Sequence, residues 1–200
     1  MEKIESRIFP KNERLRETKV VDERGEPVLM YSRSNTDFGE YQLGKRNLEN
    51  KTGVNNIGFF FSNRNDLEHY GTFIKERYLD IKNPFDIRDL GAITTYKDFR
   101  QKLSELGLSD KDLAGYDLQV QETNIARNKK LGSIDGLRTP SGDGMSSARK
   151  ATFNFFDAGE GEYLRTLLES RGYDGIIFTD EGDLTAIVFH SEQIIKPEQE

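Results

Sequence analysis

The stretch RGYDGIIFTDEGDLTAIVFHSEQIIKP, Arg171 to Pro197, constrains this chain more than any other. Two apolar runs, IIF and TAIVF, flank the short acidic turn TDEGD. Apolar runs of this length, bounded by turn residues, read as strands. The spacing therefore predicts two closing strands that meet where Asp180, Glu181 and Asp183 crowd together. Acids and glycine are what any such turn holds. By itself the turn does not separate a solvated hairpin from a carboxylate held at the lip of a site.

Upstream, Val20 to Ser32 reads as two short strands around the turn Glu23-Arg24-Gly25-Glu26-Pro27. Gly39 to Asn56 is polar and reads as a loop, and IGFFFS, Ile57 to Ser62, as a compact buried strand. NDLEHYG suits a short helix capped by Asn65 and stopped by Gly71. Glu76 to Ile87 alternates apolar and polar, then turns at Asn83-Pro84. Thr94 to Asp117 is helical, with Phe99, Leu103 and Leu106 at helix spacing, Thr94 or Thr95 as cap and Gly107 as stop. A second helix follows towards Lys130, then a Gly/Ser-rich loop, Gly132 to Lys150, expected to be mobile. Glu160 to Gly175 is an amphipathic helix with Leu164, Leu167 and Leu168 inward, ended by Gly172. Strands at both ends with helices between give an α+β domain. Residues 1–18 read as a charged tail or short helical lead-in, and 19–197 as a single domain with a helical and loop insertion at about 92–158.

The 200 residues can bury a core without staples, and the absence of cysteine excludes thiolate, zinc-thiolate and disulfide chemistry. His69 and His190 are the only histidines, which argues against a histidine-rich metal site; none is expected. With 29 basic against 35 acidic side chains, a net charge of -6 gives no support for binding a nucleic-acid backbone, though a local nucleic-acid site stays open. The N-terminus lacks the apolar core of a signal peptide, and no run is long enough to span a membrane. Gly44 to Gly53 lacks the ending of a phosphate-binding loop, and His190 reads as a surface or edge residue.

Four segments occur in a telling order: VVDERGEPVLMYSRSNTDF, GFFFSNRNDLEHYG, RYLDIKNPFDI and GYDGIIFTDEGDLTAIVFHSEQIIK. Together they resemble the ADP-ribosyltransferase domains of phage and mobile-element polyvalent proteins. The resemblance implies a split β-sandwich with NAD⁺ bound in the cleft between its halves. It also implies three working positions. On the first strand, Tyr31-Ser32-Arg33-Ser34 stands where relatives carry Tyr-His-Gly-Thr or Tyr-His-Arg-Ser, so Ser32 takes the place of the histidine that holds the nicotinamide nucleoside. Arg33 would engage the pyrophosphate, since its fork matches two oxygens at once. On the second strand, Phe59, Phe60 and Phe61 stand where relatives often place a nicotinamide-stacking tyrosine. Phe59 and Phe60 are the stacking candidates, with Ser62 as a hydroxyl partner and Tyr70 as a further aromatic. At the closing turn, Glu181 matches the catalytic glutamate, with Thr185 and Ala186 for Ser-Tyr. A carboxylate there would stabilise the ribosyl cation by roughly two to four kcal/mol.

The activity implied is mono-ADP-ribosyl transfer from NAD⁺ to a host macromolecule, with protein ahead of nucleic acid because of the charge. The setting implied is a phage, mobile element or bacterial effector acting in the cytoplasm of a host or target cell. Three alternatives stay open: an NAD⁺ glycohydrolase, an inactive member of the fold that inhibits a partner by binding, and a structural phage protein. Nothing in the sequence sets an oligomeric state.

Overall fold

The computed structural model describes residues 12–35, 37–43, 56–66, 71–88, 96–127, 161–180 and 182–197, with 123–127 and 180 by backbone alone. In chain order the strands and helices are β1 (Met30–Ser34), β2 (Phe59–Ser62), β3 (Phe73–Leu79), β4 (Pro84–Asp86), α1 (Tyr96–Glu105), α2 (Asp110–Arg127), α3 (Glu162–Glu169), β5 (Gly175–Asp180), β6 (Asp183–Val188) and β7 (Ile194–Ile195). The strands form one mixed sheet in the order β4-β5-β6-β2-β1-β3-β7. Only the β4–β5 pair is parallel. The fold is thus α+β, as the segment order predicts.

Alternation along the strands sends successive side chains to opposite faces, and each face carries its own core. Phe59, Phe61, Ala186, Val188 and Ile177 cluster with Met30, Leu79 and Ile81 on one face. Ile176, Phe178, Ile187 and Phe189 face the other way, with half-buried Phe60 packed beside them. This second core is completed by the helices, through Tyr96, Phe99 and Leu103 of α1, Leu113, Tyr116 and Val120 of α2, and Leu164 and Leu168 of α3. The helical spacing read from sequence therefore lies against the sheet.

The turns follow from local chemistry. Gly107 takes φ 96° after α1, where a side chain would be strained. Ser109 and Asp112 then open α2 by reciprocal bonds: Ser109 N–H donates to Asp112 Oδ2 at 2.9 Å and Asp112 N–H to Ser109 Oγ at 3.3 Å. Arg171, just after α3, pairs with the same Asp112, and these partners hold its carboxyl at about 2. Tyr96 Oη donates to Asp117 at 2.7 Å, and Arg100 joins the same carboxylate, so α1 and α2 are tied side to side.

Some expectations need adjustment. Val20 to Ser32 yields an isolated bridge, Val21 to Pro27, around the expected turn, and a full strand begins only at Met30. Pro84 does not turn the chain but opens β4, where its missing N–H costs least. The turn before it is held by Asp174, whose two oxygens accept from Lys82 N–H at 2.7 Å and Asn83 N–H at 2.9 Å. In the charged lead-in, Glu13–Glu17 forms a 3-10 turn that buries Leu15. Thr18 after it donates to the Leu79 carbonyl at 2.6 Å. His190 sits after β6 with Nε2 at 2.5 Å from Glu169 of α3. The expected helix across 67–70, the caps at Thr94 and Thr95, and the Gly/Ser loop at 132–150 fall outside the described residues.

Candidate active site

The decisive local feature is how unevenly β1 is held by its neighbours. It pairs with β3 along five residues, Met30↔Arg77 to Ser34↔Phe73. With β2 it pairs at one position, Tyr31↔Ser62. β2 in turn is fully laddered to β6 on its far side: Phe59↔Val188, Phe60↔Ile187, Phe61↔Ala186 and Ser62↔Thr185. Past the Tyr31–Ser62 pair, Ser32, Arg33 and Ser34 on one strand and Phe59, Phe60 and Phe61 on the other are in no shared ladder. The residues expected to hold a ligand are thus the two sides of one seam.

Alternation decides which way each points. Tyr31 and Ser62 share a face, and Arg33 and Phe60 fall on it too. Ser32, Ser34, Phe59 and Phe61 point to the opposite face. The seam therefore brings together both subsets at the backbone while directing their side chains apart.

On the first of these faces, Ser62 and Thr185 are buried register partners beside half-buried Tyr31. Ser62 Oγ accepts from Arg64 N–H at 3.2 Å. Arg33 is engaged by backbone: Nη1 donates to the Gly71 carbonyl at 3.0 Å, and Nη2 to the Asn65 carbonyl. It therefore clasps both ends of the segment that contains Tyr70. Gly71 itself has φ 133° and lies so close to Ser34 that a Cβ would run into its carbonyl.

On the opposite face Ser32 is 3% exposed, and its Oγ lies 2.6 Å from the phenol oxygen of Tyr41. The Tyr41 ring rests edge-on to Phe59, at 5.4 Å between centroids, and tilted against Phe61, at 5.5 Å. Phe59 and Phe61 are both core residues, which leaves Phe60 as the half-buried member of the three.

The turn between β5 and β6 is tight. Asp180 and Asp183 are register partners, leaving Glu181 and Gly182 as the connection, and Gly182 has φ 93°. This is the kind of two-residue hairpin turn that requires a residue tolerant of positive φ. Glu181 and Tyr70 lie outside the described residues. What surrounds Glu181 in the chain is described: Asn63 N–H donates to the Leu184 carbonyl at 3.0 Å, carrying the β2–β6 ladder on towards the turn. Arg64 then pairs with Asp183 at 3.4 Å and with Asp66 at 2.9 Å, and its guanidinium holds the Asp66 carboxyl below the ordinary range.

The family model for ADP-ribosyltransferase in polyvalent proteins matches residues 22–197, the whole of the sheet and its helices. The chain belongs to that family. Among curated proteins and solved structures, none matches. As an ADP-ribosyltransferase domain it has a general role in ADP-ribosyl transfer, a reaction whose donor in such domains is NAD⁺.

Two residues of this ADP-ribosyltransferase domain, one at the seam and one beyond its closed end, have partners that no local pattern announces. Tyr41 belongs to the polar stretch Gly39 to Asn56, and the available signal is its aromatic ring in that stretch, three residues after Phe38. Arg64 stands between the expected strand and the expected helix, two residues after β2, and pairs with two acids. Among the described residues no group of acidic or histidine side chains could hold a metal ion, and no helix is long and apolar enough to cross a membrane.

Proposed function

We propose that the domain is a mono-ADP-ribosyltransferase that cleaves NAD⁺ at the seam between β1 and β2 and moves ADP-ribose to a host protein. The observation that carries this reading is the single Tyr31–Ser62 pair. In a continuous sheet, side chains on opposite faces cannot meet one ligand. Where two strands part, a ligand entering between them reaches both sets. On this reading the sheet divides there into the halves of a split sandwich. Residues 19–197 form one domain, and 92–158 are an insertion whose helices cover one half.

Each residue then has a task. Ser32, with Ser34 beside it, holds the nicotinamide ribose. Phe60, the half-buried phenylalanine, stacks on the nicotinamide ring in preference to Phe59, with Ser62 and Tyr31 at the closed end of the seam. Arg33, held by the carbonyls of Asn65 and Gly71, reaches a pyrophosphate oxygen only by exchanging one of them for it. Glu181 places its carboxylate beside the ribose carbon. The bond from that carbon to nicotinamide breaks, and nicotinamide leaves with the bonding pair. The cation left on the ribose is stabilised by the carboxylate. An acceptor nucleophile then bonds to the ribose carbon and releases a proton. The setting that fits is a phage or mobile-element effector acting in a target-cell cytoplasm.

One observation favours a second reading, a binding module without turnover: Ser32 and Arg33 both have protein partners already. Incubation of the protein with labelled NAD⁺ and a host lysate separates the outcomes. Label on a protein band, lost in Glu181→Ala, supports the transferase. Free nicotinamide without a labelled band means hydrolysis. Neither product leaves the binding module.

A further inference from the structure

We infer that Tyr41 is a ligand-reading residue of the seam, the side chain through which it recognises the carboxamide or ribose hydroxyls of the dinucleotide. This rests on NAD⁺ being the seam's ligand. Tyr41 spans the gap that the backbone does not close: its oxygen meets Ser32 of β1, and its ring lies on Phe59 and Phe61 of β2. On this face Tyr41 therefore touches both strands at once. The dyad it forms with Ser32 is chemically versatile. Two hydroxyls 2.6 Å apart share one hydrogen bond, and either can be its donor. Reversing that bond lets the pair offer a donor or an acceptor outward, which matches a carboxamide or a sugar hydroxyl, each of which both gives and accepts. Tyr41 thereby extends the reach of Ser32, which is 3% exposed on its strand.

A second, independent observation concerns charge. The Arg77 guanidinium lies 6.0 Å from the Tyr41 ring centroid, and Lys75 Nζ lies 4.7 Å from that of Phe38, the aromatic packed edge-on against Tyr41. Lys75 also pairs with Asp37. Aromatic rings and a hydroxyl pair with two cations beside them suit a ligand that is both heteroaromatic and anionic, as a dinucleotide is.

The test compares wild type, Tyr41→Phe, Ser32→Ala and the double variant. NAD⁺ affinity is measured by calorimetry, KM and kcat by nicotinamide release, and folding by thermal unfolding. Tyr41→Phe keeps the ring and removes only the oxygen, so it is expected to raise Kd and KM about tenfold, the loss of one good hydrogen bond to ligand. Ser32→Ala should do the same, and the double variant should be no worse than either, because the two act as one unit. A Tyr41→Phe protein whose Tm falls while Kd stays within about twofold of wild type shows a mere staple between loop and strand and overturns the inference. A wild-type protein that neither binds NAD⁺ nor releases nicotinamide overturns the transferase reading itself, and this inference with it.

Discussion

Arg64 and Asp183 form an ion pair, Nη1 to Oδ2 at 3.4 Å, that joins the exit of β2 to the first residue of β6. Both side chains are about one third exposed, so the pair stabilises the fold by no more than about 1 kcal/mol. Its position matters more, because Asp183 adjoins the two-residue turn that carries Glu181. Arg64→Ala should leave the unfolding midpoint nearly unchanged while lowering kcat for nicotinamide release about tenfold, the effect of misaiming a reacting group. Equal kcat in the variant and wild type would remove Arg64 from the site.

Glu181→Gln keeps the size of the side chain and removes its charge. If the carboxylate stabilises a cation formed only during bond breaking, kcat should fall by about 10² to 10³ with little change in NAD⁺ affinity. Paired turnover and binding measurements check this. A variant that keeps full turnover assigns the carboxylate role elsewhere, with Asp180 and Asp183 as the next candidates.

Phe60 and Phe61 are neighbours that face opposite sides of the sheet. Phe61, 1% exposed in the core shared with Met30 and Val188, should cost about 3–5 kcal/mol when cut to alanine, read by chemical denaturation. Phe60, half-buried on the other face, should cost less in stability and more in KM. The reverse pattern would exchange the two faces as the nicotinamide side.

Asp112 offers a pH test. Arg171 and Ser109 hold its carboxyl at about 2, below the ordinary 3.8. A depressed carboxyl adds stability that is fully present above about pH 4 and is lost as pH falls through about 2. Asp112→Asn should therefore lower stability at neutral pH and flatten the decline between pH 4 and 2, as followed by circular dichroism. An unchanged acid limb would show that the Arg171 contact contributes nothing in solution.

The strands and helices that could be read from sequence were those with strong periodicity or an uninterrupted apolar run: GFFFS, IIF, TAIVF, and the Phe99–Leu103 and Leu164–Leu168 spacings. In each case the pattern that buries the segment is local. The strand pairing was less legible. That β2 lies between β1 and β6 depends on contacts 31 positions apart on one side and more than a hundred apart on the other, which no local pattern records. The site shows the same division. Ser32, Arg33 and the phenylalanines could be placed on strands, but their partners could not be foreseen. Arg33 is held by the carbonyls of Gly71 and Asn65, and Ser32 by a tyrosine from a stretch that composition alone marks as loop. Hydrogen bonds to backbone carbonyls and contacts from irregular segments leave no periodic trace.

The sheet order has a consequence for synthesis. β5 and β6 are inserted between β4 and β2, both of which leave the ribosome before them. Until β6 has left the ribosome the phenylalanine strand lacks its principal partner, and until β5 has done so the parallel rungs at Phe85 cannot form. β2 and β4 are therefore made before the two strands that will separate them, and a product ending before Gly175 would lack both of those strands.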